Sequence, residues 1–291
     1  MIPQPTAVRV DGVGDVGVYE FGARDGRPVM TFHGTPACGA GFGWADEPAQ
    51  ARGLRIIAPD RPGVGLSTPR AGWTVTDWPP IVDALADALE FDQYAVWGYS
   101  GGGPYAVAAA AAQPQRVVGA AIAAGMGEIG TFASPDDFAK TDRQFLSLSL
   151  KHPLVARASM RIAAAFARVS PKTAVRNMEK EFSESDAKVI ADLGEPREVI
   201  ALFTQAVMKT ARGVVDDYRS LSGTWGVDFG AITVPVQIFQ GTADTMVPLH
   251  HAESLHARIP QSRLVTWPDE GHLGPITHVD EILDWLSALP W

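Results

Sequence analysis

The sequence holds a single cysteine, Cys38, among 291 residues. That excludes an intramolecular disulfide and fits a reducing compartment. The opening residues, Met1-Ile2-Pro3-Gln4-Pro5, lack the basic and apolar segments of a secretory signal. Long apolar runs are missing too. The most apolar stretches, near residues 106–112 and 117–124, are far shorter than the ~20 residues a membrane helix needs. Positive charge is in deficit, with 24 Lys and Arg against 33 Asp and Glu and a formal net charge of -9. Such a balance repels phosphate backbones and anionic headgroups, so neither nucleic acid nor a membrane is expected as a partner. A cytoplasmic protein acting on a small molecule is the expectation, and the oligomeric state is unknown. What is present is ordinary globular material. Hydrophobic residues make up 46% and charged residues 20%, enough for the core of one large domain or a domain with an insertion.

The first half alternates strand-like and helix-like segments. Residues 16–21 and 29–33 read as strands, and the turn-rich Gly22-Ala23-Arg24-Asp25-Gly26-Arg27-Pro28 between them predicts an antiparallel hairpin. Runs at 54–58, 94–98 and 117–124 are continuously apolar, as strands of a parallel sheet buried on both faces must be. Apolar residues recur at helical spacing over 76–90, and small residues over 102–112 predict a helix packed tightly on the sheet. From about 128 to 226 no strand pattern appears, and helical segments broken by Pro153, Pro171 and Gly194-Glu195-Pro196 follow one another. Strands at 234–239 and 263–267 and helices at 250–258 and 279–289 then restore the rhythm. The expected fold class is α/β, a mostly parallel, doubly wound sheet of residues 1–126 and 227–291, interrupted by a helical insertion at 127–226.

Three motifs carry chemistry. Gly98-Tyr99-Ser100-Gly101-Gly102 matches G-x-S-x-G between a strand and a helix. A nucleophile on such a sharp turn needs glycines where neighbouring backbone approaches, and the helix N-terminus behind it favours developing negative charge. Gln240-Gly241-Thr242-Ala243-Asp244 places a carboxylate at the C-terminal end of a strand, the ligand-binding edge of such a sheet. Gly271-His272-Leu273-Gly274 supplies an imidazole last, giving the chain order Ser, Asp, His. Acyl transfer also needs donors for an oxyanion. The Gly101 N–H is one candidate, and the loop His33-Gly34-Thr35-Pro36 supplies another near Thr35. His33 and Cys38 read as structural. Tyr99 and Met246, beside triad residues, and Trp44 and Trp225 are candidates for substrate contact.

With His33-Gly34-Thr35-Pro36, Asp60-Arg61-Pro62-Gly63-Val64-Gly65-Leu66-Ser67, Gly98–Gly102, Gly241–Asp244 and Gly271-His272, the chain resembles the α/β-hydrolase fold superfamily over nearly its whole length. The resemblance implies an eight-stranded sheet and a cap at the insertion. It also implies Ser100, Asp244 and His272 as triad, Thr35 and Gly101 amides as oxyanion hole, and a structural role for Asp60 and Arg61. Serine at position 100 argues against haloalkane dehalogenases and soluble epoxide hydrolases, which use an Asp nucleophile. The expected activity is that of a serine esterase acting on a small to medium apolar substrate, with no metal or organic cofactor. The same triad also serves C–C bond hydrolysis, lactone opening, peptide cleavage and perhydrolysis, and the scaffold can serve as an idle ligand receptor.

Overall fold

The computed structural model describes residues 3–131, 133–207 and 209–291. One eight-stranded sheet runs through it in the order β1-β2-β4-β3-β5-β6-β7-β8. Its strands are β1 (Thr6–Val10), β2 (Gly14–Gly22), β3 (Arg27–Phe32), β4 (Leu54–Pro59), β5 (Tyr94–Tyr99), β6 (Val117–Ala123), β7 (Val236–Gly241) and β8 (Ser262–Trp267). From β4 across to β8 the pairing is parallel, while β2 runs antiparallel to both β1 and β4. The continuously apolar runs are the buried strands: β6 is buried at every position, and so are all but the last residue of β5. These strands lie between helix layers, so neither face can be polar.

The hairpin expected between β2 and β3 does not form. β4 lies between them, antiparallel to β2 and parallel to β3. The turn after β2 is real, but a short helix, α1 (Asp46–Ala51), returns the chain so that β4 enters the gap. The actual hairpin is β1 with β2, in register from Thr6↔Val18 to Val10↔Gly14.

The flanking helices are α2 (Trp78–Ala88) and α3 (Gly103–Ala112) in the first half. Alanines make α3 small and buried nearly all round, which lets it lie close against β5 and β6. Between β6 and β7 the chain leaves the sheet for six helices: α4 (Lys140–Lys151), α5 (Pro153–Val169), α6 (Pro171–Glu179), α7 (Glu184–Asp192), α8 (Pro196–Thr204) and α9 (Arg212–Leu221). Prolines open α5, α6 and α8 at the first helical position, where a missing N–H is harmless. α10 (Leu249–Arg258), the short α11 (Gly274–Thr277) and α12 (Val279–Ser287) complete the chain. The insertion has a small apolar cluster of its own, built on Val175, Ile190, Val199 and Ile200, and Leu273 from the loop after β8 belongs to it. The parallel strands therefore aim the loops after β3, β5, β7 and β8 at one edge, beneath the inserted helices.

Candidate active site

Ser100 stands immediately after β5, at the first residue of a short 3-10 turn leading into α3. Its φ is +55°, a left-handed conformation that costs a serine roughly 1–3 kcal/mol and is tolerated where the surroundings hold it. The glycines beside it are sterically required. A methyl group on Gly98 would sit 2.5 Å from the Gly102 carbonyl oxygen, and one on Gly102 would run into the Phe32 carbonyl.

The loop after β3 comes up against this turn. A methyl group at Gly101 would lie 3.1 Å from the Thr35 nitrogen, so the two candidate oxyanion amides are neighbours. The loop is braced from below by Arg61, which is fully buried. Arg61 donates to the carbonyls of His33 and Gly34 and forms a bidentate pair with Asp217 of α9, with Nε–Oδ1 at 2.8 Å and Nη2–Oδ2 at 2.6 Å. Asp217 also accepts hydrogen bonds from the Tyr105 hydroxyl at 2.6 Å and from the Thr35 hydroxyl. His33 is buried and serves this brace: its Nδ1 bonds to the Gly34 carbonyl and its Nε2 accepts the Arg61 N–H. Burial, reinforced by the Arg61 charge, holds its pKa well below the usual histidine value. Burial and the nearby Asp60 carboxyl push the Cys38 thiol up to about 12, so it is not a thiolate nucleophile.

Asp244 follows β7 and His272 follows β8. The His272 Nδ1–H donates to Asp244 Oδ2 at 2.9 Å. Three more donors fix that carboxylate: Met246 N and Val247 N on Oδ1, both at 2.8 Å, and Gln240 Nε2 on Oδ2 at 2.9 Å. The Tyr99 ring stacks on the imidazole with centroids 5.3 Å apart, and its hydroxyl donates to the His272 carbonyl. Burial alone would lower the pKa of His272, but Asp244, Asp186 and Asp142 outweigh it, and the net shift is upward from 6.5. A neutral imidazole is the form that can accept a proton. We therefore expect the acid limb of kcat/KM to fall above pH 6.5, and Asp142→Asn to move that limb to lower pH by removing one of the stabilising charges. A pH–rate profile of the two proteins checks both.

A family model described as the alpha/beta hydrolase fold matches residues 27–279. The chain belongs to that family. Among curated proteins it is 25% identical over 262 residues to an uncharacterized hydrolase, YcgS, of Bacillus subtilis, covering 89% of both chains. It is also 25% identical over 292 residues to a 2-hydroxy-6-oxo-6-phenylhexa-2,4-dienoate hydrolase of Burkholderia cepacia, covering 95% of this chain and 93% of that one. Among solved structures, a bromoperoxidase from Bacillus anthracis superposes with a TM-score of 0.73 at 20% identity, covering 97% of this chain and 98% of that one.

Above Ser100 and His272 this α/β hydrolase has a cavity of about 470 Å³, closed from the far side by helices of the insertion. Tyr99, Met246, Thr35, Phe203 and Leu273 line it, as do Met160, Phe145 and Phe182. Trp44 and Trp225 do not. Trp44 packs on Trp97 and Phe42, against the sheet. Trp225 is buried against Phe229, with its backbone N–H on Glu128. Both lie beside loops that approach the site in sequence, but their rings turn into the core, where a large aromatic buries the most area. The cavity wall is mostly apolar; besides Ser100 and His272 its polar side chains include Asp142, Glu181, Asn177 and the Tyr218 hydroxyl. Tyr218 donates to Asp142 at 2.6 Å, and desolvation pushes that carboxyl up to about 6. None of the described lining residues is a lysine or arginine.

Sequence reasoning missed Asp186. At the start of α7 it closes a capping box with Ser183, which is all its position suggests. The structure adds a second duty. Asp186 Oδ2 accepts the His272 N–H at 3.0 Å and Oδ1 accepts the Leu273 N–H at 2.6 Å, with the carboxylate almost fully buried. Gly271 leaves the room: a methyl group there would collide with the Asp186 carboxylate. The inserted helices thus hold the backbone of the histidine loop. We expect Asp186→Ala to strand two buried N–H groups, at about 1–3 kcal/mol each, and to lower kcat by about 10²-fold through a misplaced imidazole. Asp186→Asn keeps the shape but turns one acceptor into an NH2 donor facing a backbone N–H, so it recovers only part of the stability, and it moves the acid limb to lower pH. Urea unfolding and pH–rate profiles together check this.

One further cluster resembles a metal site. Asp137, His250 and His251 hold ligand atoms within 4.8 Å of one another. The Gly127 N–H, however, donates to His251 Nδ1 at 3.0 Å, so the ring hydrogen of the neutral imidazole is on Nε2. That Nε2 faces Asp137 Oδ2 at 3.5 Å, and a metal there would have to displace the hydrogen. The neighbouring His250 Nε2 bonds Asp137 Oδ2 at 3.1 Å, so the geometry suits a hydrogen-bonded tie between the insertion and α10.

Proposed function

We propose that this α/β hydrolase cleaves neutral, largely apolar carboxylic esters of small to medium size through an acyl-enzyme on Ser100. The observation that carries the reading is the cavity: Ser100 and His272 lie in the wall of a mostly apolar chamber whose ionisable residues, among the described ones and besides His272 and tyrosines, are carboxylic acids. In this reading His272, its Nδ1 engaged by Asp244, presents Nε2 to the Ser100 hydroxyl and takes its proton as the oxygen attacks the ester carbon. The Thr35 and Gly101 amides receive the tetrahedral oxyanion. His272 then returns the proton to the leaving alcohol, and in a second half-reaction activates water to free the acid. The inserted helices act as a cap that keeps bulk water from the acyl-enzyme and selects the acyl chain by its length.

A dienoate substrate, as the name of the Burkholderia relative gives for that protein, carries a carboxylate. Here it would enter a chamber bearing Asp142 and Glu181 and no cation, which opposes it by charge and by desolvation. The acids also argue against anionic esters. We expect kcat/KM for p-nitrophenyl butyrate to exceed that for the singly charged p-nitrophenyl succinate by about 10²-fold or more, the discrimination that an unpaired buried charge imposes. Equal rates on the two esters would overturn the substrate class. Failure of a fluorophosphonate probe to label Ser100 in the folded protein would overturn the acyl-enzyme itself and favour a ligand receptor on a hydrolase scaffold.

A further inference from the structure

The large apolar side chains that are exposed in the described residues all lie on one short segment: Leu150, Leu154, Val155, Ile162, Phe166 and Val169. Five of them are on α5, and they are not scattered. Leu154, Ile162, Phe166 and Val169 recur at helical spacing, with the exposed Ala158 and Ala165 filling the face between them. Leu154 is 74% exposed, Ile162 69% and Val169 83%, so none of the described residues covers this stripe. The opposite face of α5 is buried through Ala156, Met160 and Ala164, and Met160 and Ala164 line the active-site cavity. Phe166 belongs to both: it is exposed, and it borders the cavity. An apolar stripe of this kind on a single helix marks an interaction site rather than random surface.

Charge indicates what the site meets. Residues 150–178 contain six Lys and Arg and no Asp or Glu, in a chain whose net charge is -9. Arg157, Arg161 and Arg168 run along one edge of the stripe at the same helical spacing. Arg157 pairs with Asp216 at 3.7 Å and Arg168 bonds the Thr204 hydroxyl, while Arg161 is exposed. The net charge that argues against an anionic surface is an average, and on this segment the sign is reversed.

We propose that the exposed face of α5 is a docking surface for an anionic phospholipid bilayer. The stripe enters the headgroup–acyl boundary while the arginine row meets lipid phosphates, the arrangement of an interfacial amphipathic helix. Docking there sets the helix that walls the cavity against the lipid, so that an apolar substrate dissolved in the bilayer meets Phe166 on its way in. A second copy of the chain is the weaker occupant, because self-pairing of the face would bring two net-positive segments together. No helix among the described residues is long and apolar enough to cross a membrane, so the attachment is peripheral.

The test is co-sedimentation with vesicles of equal parts phosphatidylcholine and phosphatidylglycerol, against vesicles of phosphatidylcholine alone. We expect retention on the anionic vesicles that is at least about 10-fold tighter than on the neutral ones, and that weakens about 10-fold or more in Arg161→Glu. The pair Leu154→Ser with Ile162→Glu abolishes it; both side chains are exposed and neither lines the cavity, and an unchanged thermal melt confirms the fold. No retention on anionic vesicles, or equal retention by the Leu154→Ser, Ile162→Glu protein, overturns the proposal. So does a wild-type dimer in sedimentation equilibrium that those two substitutions convert to a monomer, for then the stripe is a subunit interface.

Discussion

Ser100→Ala is expected to leave a folded chain whose kcat on p-nitrophenyl butyrate has fallen by about 10⁴-fold or more. The side chain that is lost is small and only half-buried, and its neighbours are held independently. Gly98 and Gly102 shape the turn by their own close approaches, and Asp244 keeps His272 in place whether or not a hydroxyl faces it. The melting temperature is therefore expected to move little, since alanine inherits the same left-handed backbone and the same strain. In the proposed mechanism, what remains is the catalysis that binding and the two candidate oxyanion amides supply without a nucleophile. Retained turnover would mean that water, and not serine, attacks the substrate.

The second large effect concerns stability. Asp217→Ala is expected to destabilise the fold by about 3–5 kcal/mol, read as a fall in the midpoint of urea unfolding, because it leaves the fully buried Arg61 without its counter-ion. Asp217 also takes the hydroxyls of Tyr105 and Thr35, so the same change strips partners from α3 and from the loop that carries the Thr35 amide. Activity is expected to fall along with stability. The control is the double replacement Arg61→Met with Asp217→Leu, which removes both charges at once. If the damage comes from an unpaired buried guanidinium, the double variant is less destabilised than Asp217→Ala alone. Additive losses would show that packing, not charge, dominates at this position.

These expectations draw unevenly on what the sequence displays. Ser100, Asp244 and His272 are legible because each sits in a short motif just after a buried strand, and a parallel sheet delivers such positions to one edge without further information. The strands themselves are legible from unbroken apolar runs. β1 is not, since Thr6–Val10 is half-exposed at the sheet edge and carries little hydrophobic signal. The hairpin expected between β2 and β3 fails because a local turn does not reveal which strand arrives later to fill the gap. α9 escapes notice because its buried face carries Asp217, whose partner Arg61 is remote in the chain and turns a polar residue into a core one. Trp44 and Trp225 show that nearness to a loop in sequence does not say where a ring points. Asp186 is the sharpest case. A capping-box carboxylate is sufficient explanation for its identity, and only the three-dimensional arrangement reveals that its two oxygens also receive the amides of His272 and Leu273.

The insertion between β6 and β7 divides the site in time as well as in space. Ser100 belongs to the first part of the chain, while Asp244 and His272 follow the inserted helices, one after β7 and the other after β8. A ribosome adding about 5–20 residues per second completes the nucleophile's strand and turn well before it makes the imidazole. During those seconds the serine hydroxyl lacks the base proposed for it, and the loop that will carry His272 has not been synthesised for Asp186 to hold. In the proposed mechanism the nascent protein is therefore chemically silent, and its hydrolytic power arrives only with the loop that follows β8.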